Sequence, residues 1–191
     1  MLHIDQQAID ATLDGNPAAY AELVERYQRR LLGLLWHVCS DRELAEDIAQ
    51  ETFARAFHKL SLYSGESQFY TWLARIGLNL LATNRRRKRL ENQKSREGFE
   101  MAVESLSGER PPDEVAVMNE TQVCVRQALE CLEKERRVVI LLRDFEGLDY
   151  AEIATLLEIP IGTVRSRLHR ARLELRALLH DKAVELGLGE T

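Results

Sequence analysis

The chain has 191 residues, a formal net charge of −5, four prolines and 6% aromatic residues. That length holds one large domain or two small ones, and the scarcity of proline and aromatics suits an all-helical protein better than a β-rich one. The longest uninterrupted aliphatic run, Val138–Leu142, is far too short for a bilayer, and the opening MLHIDQQAID lacks a signal peptide's basic and apolar regions, so a cytoplasmic protein without membrane insertion is expected.

Helical periodicity dominates from the start. GNP at Gly15–Pro17 ends a short first helix and begins a second, with proline suited to a first turn. Leu23, Tyr27, Leu31, Leu34, Leu35 and Val38 then recur at helical spacing. Ser40 or Asp41 can cap a third helix running to about Leu60. YSGES at Tyr63–Ser67 breaks the pattern and offers a capping serine or glutamate to a fourth helix, which runs into RRRKR. From about Glu97 to Val117 periodicity fails; the stretch is acidic and holds Pro111–Pro112, which excludes a continuous helix and favours a solvated tether. Helical spacing resumes near Asn119 and lasts to about His180. Val138–Leu142 is β-branched enough for a strand, but its charged helical flanks argue for a buried helix segment.

The expected architecture is therefore all-α: two small helical domains (residues 1–96 and 119–180), a flexible acidic linker (97–118) and a tail (181–191). Charge is unevenly spread along the chain. Residues 1–96 carry 14 basic and 12 acidic side chains, 97–135 carry 3 and 10, and 136–191 carry 9 of each. Two basic clusters, Arg85–Arg96 and Arg165–Arg176, stand on this acidic body and suggest local steering toward an anion. Cys39, Cys124 and Cys131 are odd in number and badly spaced for a disulfide framework or zinc, so no cofactor or metal is expected; Cys124 and Cys131 share a helix face and read as packing residues.

Three surfaces carry the functional reading. In ELAEDIAQETFARAF, Asp47, Gln50 and Glu51 share one helix face, opposite Ala45, Ala49, Thr52 and Ala56. In FYTWLARIGLNLLATNRRRKR, Phe69, Tyr70 and Trp72 precede Asn79, Asn84 and a run opened by Arg85, Arg86 and Arg87. Aromatic faces stack on unpaired bases, amides read base edges and a basic run holds the backbone, the ingredients of single-strand capture. Finally, DYAEIATLLEIPIGTVRSRLHRAR places a short amphipathic helix, a tight EIP turn and a second helix in sequence over about 149–172. On that second helix Val164, Leu168 and Ala171 make an apolar stripe opposite Arg165, His169 and Arg170. Pro160 stands where it begins, and Gly162 offers a place for close backbone approach. This is a helix-turn-helix, whose reading helix presents Thr163, Arg165, Ser166, Arg167, His169 and Arg170 to a major groove.

These segments, in this order, resemble a bacterial extracytoplasmic-function (ECF) sigma factor, the minimal alternative type with regions two and four only. The resemblance implies a non-enzymatic promoter-specificity subunit that binds core RNA polymerase, directs it to −35/−10 promoters and assists opening. Asp47, Gln50 and Glu51 would meet the clamp helices of the largest subunit, and region four the flap of the second-largest. Tyr70, Trp72, Asn79, Asn84, Arg85, Arg86 and Arg87 would meet the −10 element; Thr163, Arg165, Ser166, Arg167, His169 and Arg170 would read the −35 element. The linker would pass near the RNA exit path, and a separate anti-sigma factor would regulate. A free-standing helix-turn-helix regulator would leave the carboxylate face and the aromatic–amide–basic segment unexplained. A protein–protein adaptor would use the basic runs only for acidic partners. An enzyme has the least support, for no nucleophile–base pair or metal cluster is visible in the sequence.

Overall fold

The computed structural model describes residues 2–96 and 120–185, so the expected linker at 97–118 and the last residues of the tail lie outside the described residues. The chain forms two compact units, divided between Gly108 and Glu109.

The first unit contains α1 (Leu2–Leu13), α2 (Ala18–Cys39), α3 (Arg42–His58), a 3₁₀ turn (Leu60–Leu62) and α4 (Phe69–Arg96). Gly15, at φ 95°, makes the turn out of α1. Ser40 ends α2 in the left-handed region at φ 58°, its N–H donating to the Trp36 carbonyl at 2.7 Å. Asp41 then starts α3: its carboxylate accepts from the Leu44 N–H at 3.0 Å, filling one of the donors a helix start leaves open.

Helix α2 is the centre of this unit and packs on α1, α3 and α4. It buries Leu23, Leu31, Leu34, Leu35 and Val38, while α3 buries Ile48 and Phe53 and α4 buries Leu73, Leu80 and Leu81. Each such side chain removed from water contributes about 1.5–3 kcal/mol. Small residues let α3 and α4 approach: a Cβ added at Gly77 would stand 3.1 Å from Thr52 Oγ1. Thr52 is wholly buried, and its hydroxyl donates back to the Ile48 carbonyl at 2.6 Å.

The second unit contains α5 (Glu120–Cys131), α6 (Lys134–Ile140), a π-turn (Leu141–Phe145), α7 (Tyr150–Leu157) and α8 (Ile161–Glu185). Val138–Leu142 is helical and buried throughout, closing α6 and opening the π-turn. Packing explains the apolar run that also suited a strand. The wide turn is fixed by Glu146 N–H to the Leu141 carbonyl and Leu148 N–H to the Leu142 carbonyl, both at 3.0 Å. Asp149 and Glu152 form a reciprocal capping box at the start of α7. Of the two cysteines of α5 expected to pack, Cys131 is a correction, for it is exposed at the helix end, while Cys124 is half-buried one turn before the buried Ala128.

Candidate nucleic-acid and partner interfaces

On α3 the expected division holds. Ala45, Ile48, Ala49 and Thr52 are buried, while Asp47, Gln50 and Glu51 are exposed together. The carboxylates are not equivalent. Glu51 accepts from Arg55 Nε at 2.9 Å and Nη2 at 2.5 Å, and Glu46 accepts from Arg42 Nε at 2.9 Å. Among the described residues no ion pair involves Asp47, so its carboxylate differs from those of Glu46 and Glu51.

On α4 the candidates divide between surface and core. Asn79 is exposed; only its main-chain carbonyl is engaged, accepting from Thr83 Oγ1 at 2.8 Å. Arg86 and Arg87 are exposed and Arg85 half-buried. Asn84 is half-buried with its Oδ1 enclosed, so that oxygen points away from any strand on the surface. Tyr70 is a correction to the expected −10 set. It is 1% exposed, its ring lies 5.6 Å from that of Tyr27, and the Arg30 guanidinium covers it at 3.8 Å. Neither face of the ring is open to a base, because the first turn of α4 rotates it into the core. Trp72 is half-buried, leaning on Phe69 at 5.7 Å and Tyr63 at 5.4 Å. Sequence reasoning did not single out Tyr63, whose part depends on a fold contact with α4.

The α7–α8 corner is the three-residue turn expected from EIP. Glu158 takes the left-handed conformation at φ 55°, and its N–H and that of Ile159 both donate to the Ala154 carbonyl. The Pro160 carbonyl accepts from Thr163 and Val164 N–H at 2.8 and 3.2 Å, which launches α8. Gly162 has nothing of its own chain within 4 Å of an added Cβ, so the space beside its backbone is open. Val164, Leu168 and Ala171 face inward at 0–2% exposure. Arg165, Ser166, His169 and Arg170 are exposed, and Thr163 and Arg167 are half-buried at the edges.

Two further cations belong to the scaffold rather than to this face. Arg172 grips Asp144 through Nε and Nη2, and Arg136 reaches Glu174 at 2.5 Å, so α8 is tied to the π-turn and to α6. Those hydrogen bonds hold both guanidinium groups above their ordinary range. Among the described residues no group of three or more His, Cys, Asp or Glu side chains could hold a metal, and no helix is long and apolar enough to cross a membrane.

This geometry is that of a helical protein carrying a helix-turn-helix in its second unit and a carboxylate face and an amide–basic helix in its first. Comparison with known proteins assigns those parts. Sigma-70 region 2 matches residues 23–91, and Sigma-70 region 4 matches residues 122–175. The chain is 36% identical over 186 residues to the RNA polymerase sigma-H factor of Pseudomonas aeruginosa, covering 95% of this chain and 94% of that protein. It is 33% identical over 174 residues to the ECF RNA polymerase sigma-E factor of Haemophilus influenzae, covering 88% and 91%. Among solved structures it is similar to the sigma factor RpoE in complex with the anti-sigma factor NepR from Bartonella quintana, at TM-score 0.69 and 26% identity over 84% of this chain and 96% of that one. CnrH in complex with the cytosolic domain of CnrY is similar at TM-score 0.62 and 27% identity, over 93% and 96%. The chain belongs to the ECF group of sigma-70 RNA polymerase sigma factors, a family of transcription initiation factors.

Proposed function

We propose that this chain docks on core RNA polymerase through Asp47, Gln50 and Glu51, directs it to promoters with −35 and −10 elements, and helps open the DNA. Arg165, Ser166, His169 and Arg170 are the direct readers of the −35 duplex, flanked by Thr163 and Arg167. Trp72 and Asn79 take the unpaired −10 strand while Arg85, Arg86 and Arg87 hold its phosphates, and Asn84 supports that helix from within. Tyr70 is left out of this set because it is buried. A separate anti-sigma protein is the expected regulator, as the two structural relatives above are each bound to such a protein or to a cytosolic partner domain.

The observation that carries this reading is the split of α8 into a buried Val164–Leu168–Ala171 stripe and an exposed Arg165–Ser166–His169–Arg170 face directly after a tight turn. Arginine on such a helix can donate two hydrogen bonds to guanine in a major groove. Nuclease footprinting of core polymerase loaded with the chain tests it. Selected genomic fragments should show two protected blocks, near −35 and −10. Retention of the −35 block by an Arg165→Ala, Arg170→Ala double variant would count against the assignment.

A further inference from the structure

Asp5 is a carboxylate buried inside the first unit, 7% exposed, on a helix outside both matched regions. It accepts from the Arg26 guanidinium and, at 2.5 Å, from the Tyr27 hydroxyl. Burying a carboxylate is costly, and an apolar anchor of the same size would hold α1 to α2 at least as firmly. What the carboxylate adds is direction, because it fixes one place for the Tyr27 hydroxyl.

Tyr27 is itself buried and touches the first two residues of α4: its ring stands 5.8 Å from Phe69 and 5.6 Å from Tyr70. Phe69 in turn meets Tyr63 edge-on at 5.7 Å and Trp72 at 5.7 Å, and Tyr63 and Trp72 meet each other at 5.4 Å. The Tyr63 hydroxyl donates to the Ser67 carbonyl at 2.5 Å, closing the loop that leads into α4. Such ring pairs are directional, so a displaced Tyr27 is transmitted to Trp72 through Phe69. Burial, then the hydrogen bond to Asp5, pushes the Tyr27 hydroxyl well above the usual phenol range, which keeps it a donor. Tyr63 is raised as well, chiefly by burial and then by the charge of Asp5.

We infer that Asp5 is a positioning residue: through Tyr27 and Phe69 it sets where the Tyr63–Trp72 pair stands at the head of α4, and so governs capture of an unpaired promoter strand. The inference rests on the role proposed for Trp72 above.

The test uses the full chain bound to core RNA polymerase and two DNA probes, a fork whose −10 strand is single and randomised, and the same DNA fully paired. Tyr27→Phe, which removes only the hydroxyl, and Asp5→Ala should each lower the fork-to-duplex affinity ratio about three- to tenfold, the worth of one hydrogen bond. Affinity for core polymerase should not change. In the free chain with a Trp36→Phe background, where Trp72 is the one tryptophan, the same changes should make its emission more quenchable by acrylamide. Ile48→Val, an interior change on α3, should lower thermal stability while leaving ratio and emission alone. Should Asp5→Ala fail to fold, Tyr27→Phe decides. Lowered stability with an unchanged ratio and unchanged Trp72 quenching would make Asp5 a plain structural anchor and overturn the inference. If Trp72→Ala leaves the ratio intact, the −10 reading is what fails, and the quenching arm alone shows whether Asp5 positions Trp72.

Discussion

Arg172 and Asp144, 28 residues apart, form a two-pronged ion pair at 3.0 and 2.5 Å that fastens the middle of α8 to the π-turn. Both side chains are partly exposed, 49% and 33%, so the pair contributes at most about 1 kcal/mol to stability. Arg172→Ala is therefore expected to lower thermal stability slightly and to leave the preference between −35 sequences unchanged. Arg165→Ala and Arg170→Ala should instead cost about 1–3 kcal/mol at particular −35 base pairs. Competition between a −35 duplex and a scrambled one separates the two. Equal losses for Arg165→Ala on both duplexes would reduce that residue to a phosphate contact.

The carboxylates of α3 should also differ from one another. Asp47→Lys reverses an exposed charge and should abolish binding to core polymerase, with helical content intact because the side chain lies off the packed stripe. Glu51→Ala should act more weakly, since Glu51 is already shared with Arg55. Titration of labelled variants against core polymerase, with circular dichroism as control, measures both. Phe53→Ala, on the buried side, should instead destabilise the unit by about 3–5 kcal/mol.

Asn79→Ala should impair promoter opening more than initial duplex binding. An amide–base contact is worth about 1–3 kcal/mol, so the loss should fall on one −10 position. Permanganate reactivity of −10 thymines and a base-preference scan report it; profiles identical to the parent's would remove Asn79 from the reading. Neutralising Arg86 and Arg87 should weaken binding to every sequence and flatten its salt dependence.

Two helical glycines make opposite predictions for stability. At Gly33 an added methyl meets nothing within 4 Å, so Gly33→Ala should gain up to about 1 kcal/mol from helix propensity. At Gly77 the same methyl would press on Thr52 Oγ1 at 3.1 Å while touching Leu35 and Leu31 at 3.4 and 3.5 Å. Thr52 is tethered to the Ile48 carbonyl, so the gain at Gly77 should vanish. Thermal melts of the two single variants compare them directly.

What the sequence made visible was local. Helix periodicity, the Asp41 cap, the EIP turn and the two faces of α3 and α8 each depend on residues within a few positions of one another, and each stands where the spacing placed it. Contacts across the fold were not visible. Tyr70 looked like a stacking platform because it lies two residues before Trp72, yet two steps along a helix turn a side chain by about 200°, enough to send it into the core. Arg172 looked like one more member of a basic cluster until Asp144 was found beside it. Asp5 gave no signal at all, since its partners Arg26 and Tyr27 lie 21 and 22 residues away with no motif linking them. Glu158 takes a conformation usually left to glycine or asparagine, which its neighbours in sequence do not announce.

The most direct test of the central claim is transcription from sheared genomic DNA by core RNA polymerase supplemented with the purified chain, with start sites mapped by sequencing. The account predicts a defined set of starts preceded by one shared −35/−10 pair, lost on Asp47→Lys and altered in −35 preference on Arg165→Ala. Starts indistinguishable from those of core polymerase alone, or unaffected by Asp47→Lys, would contradict it.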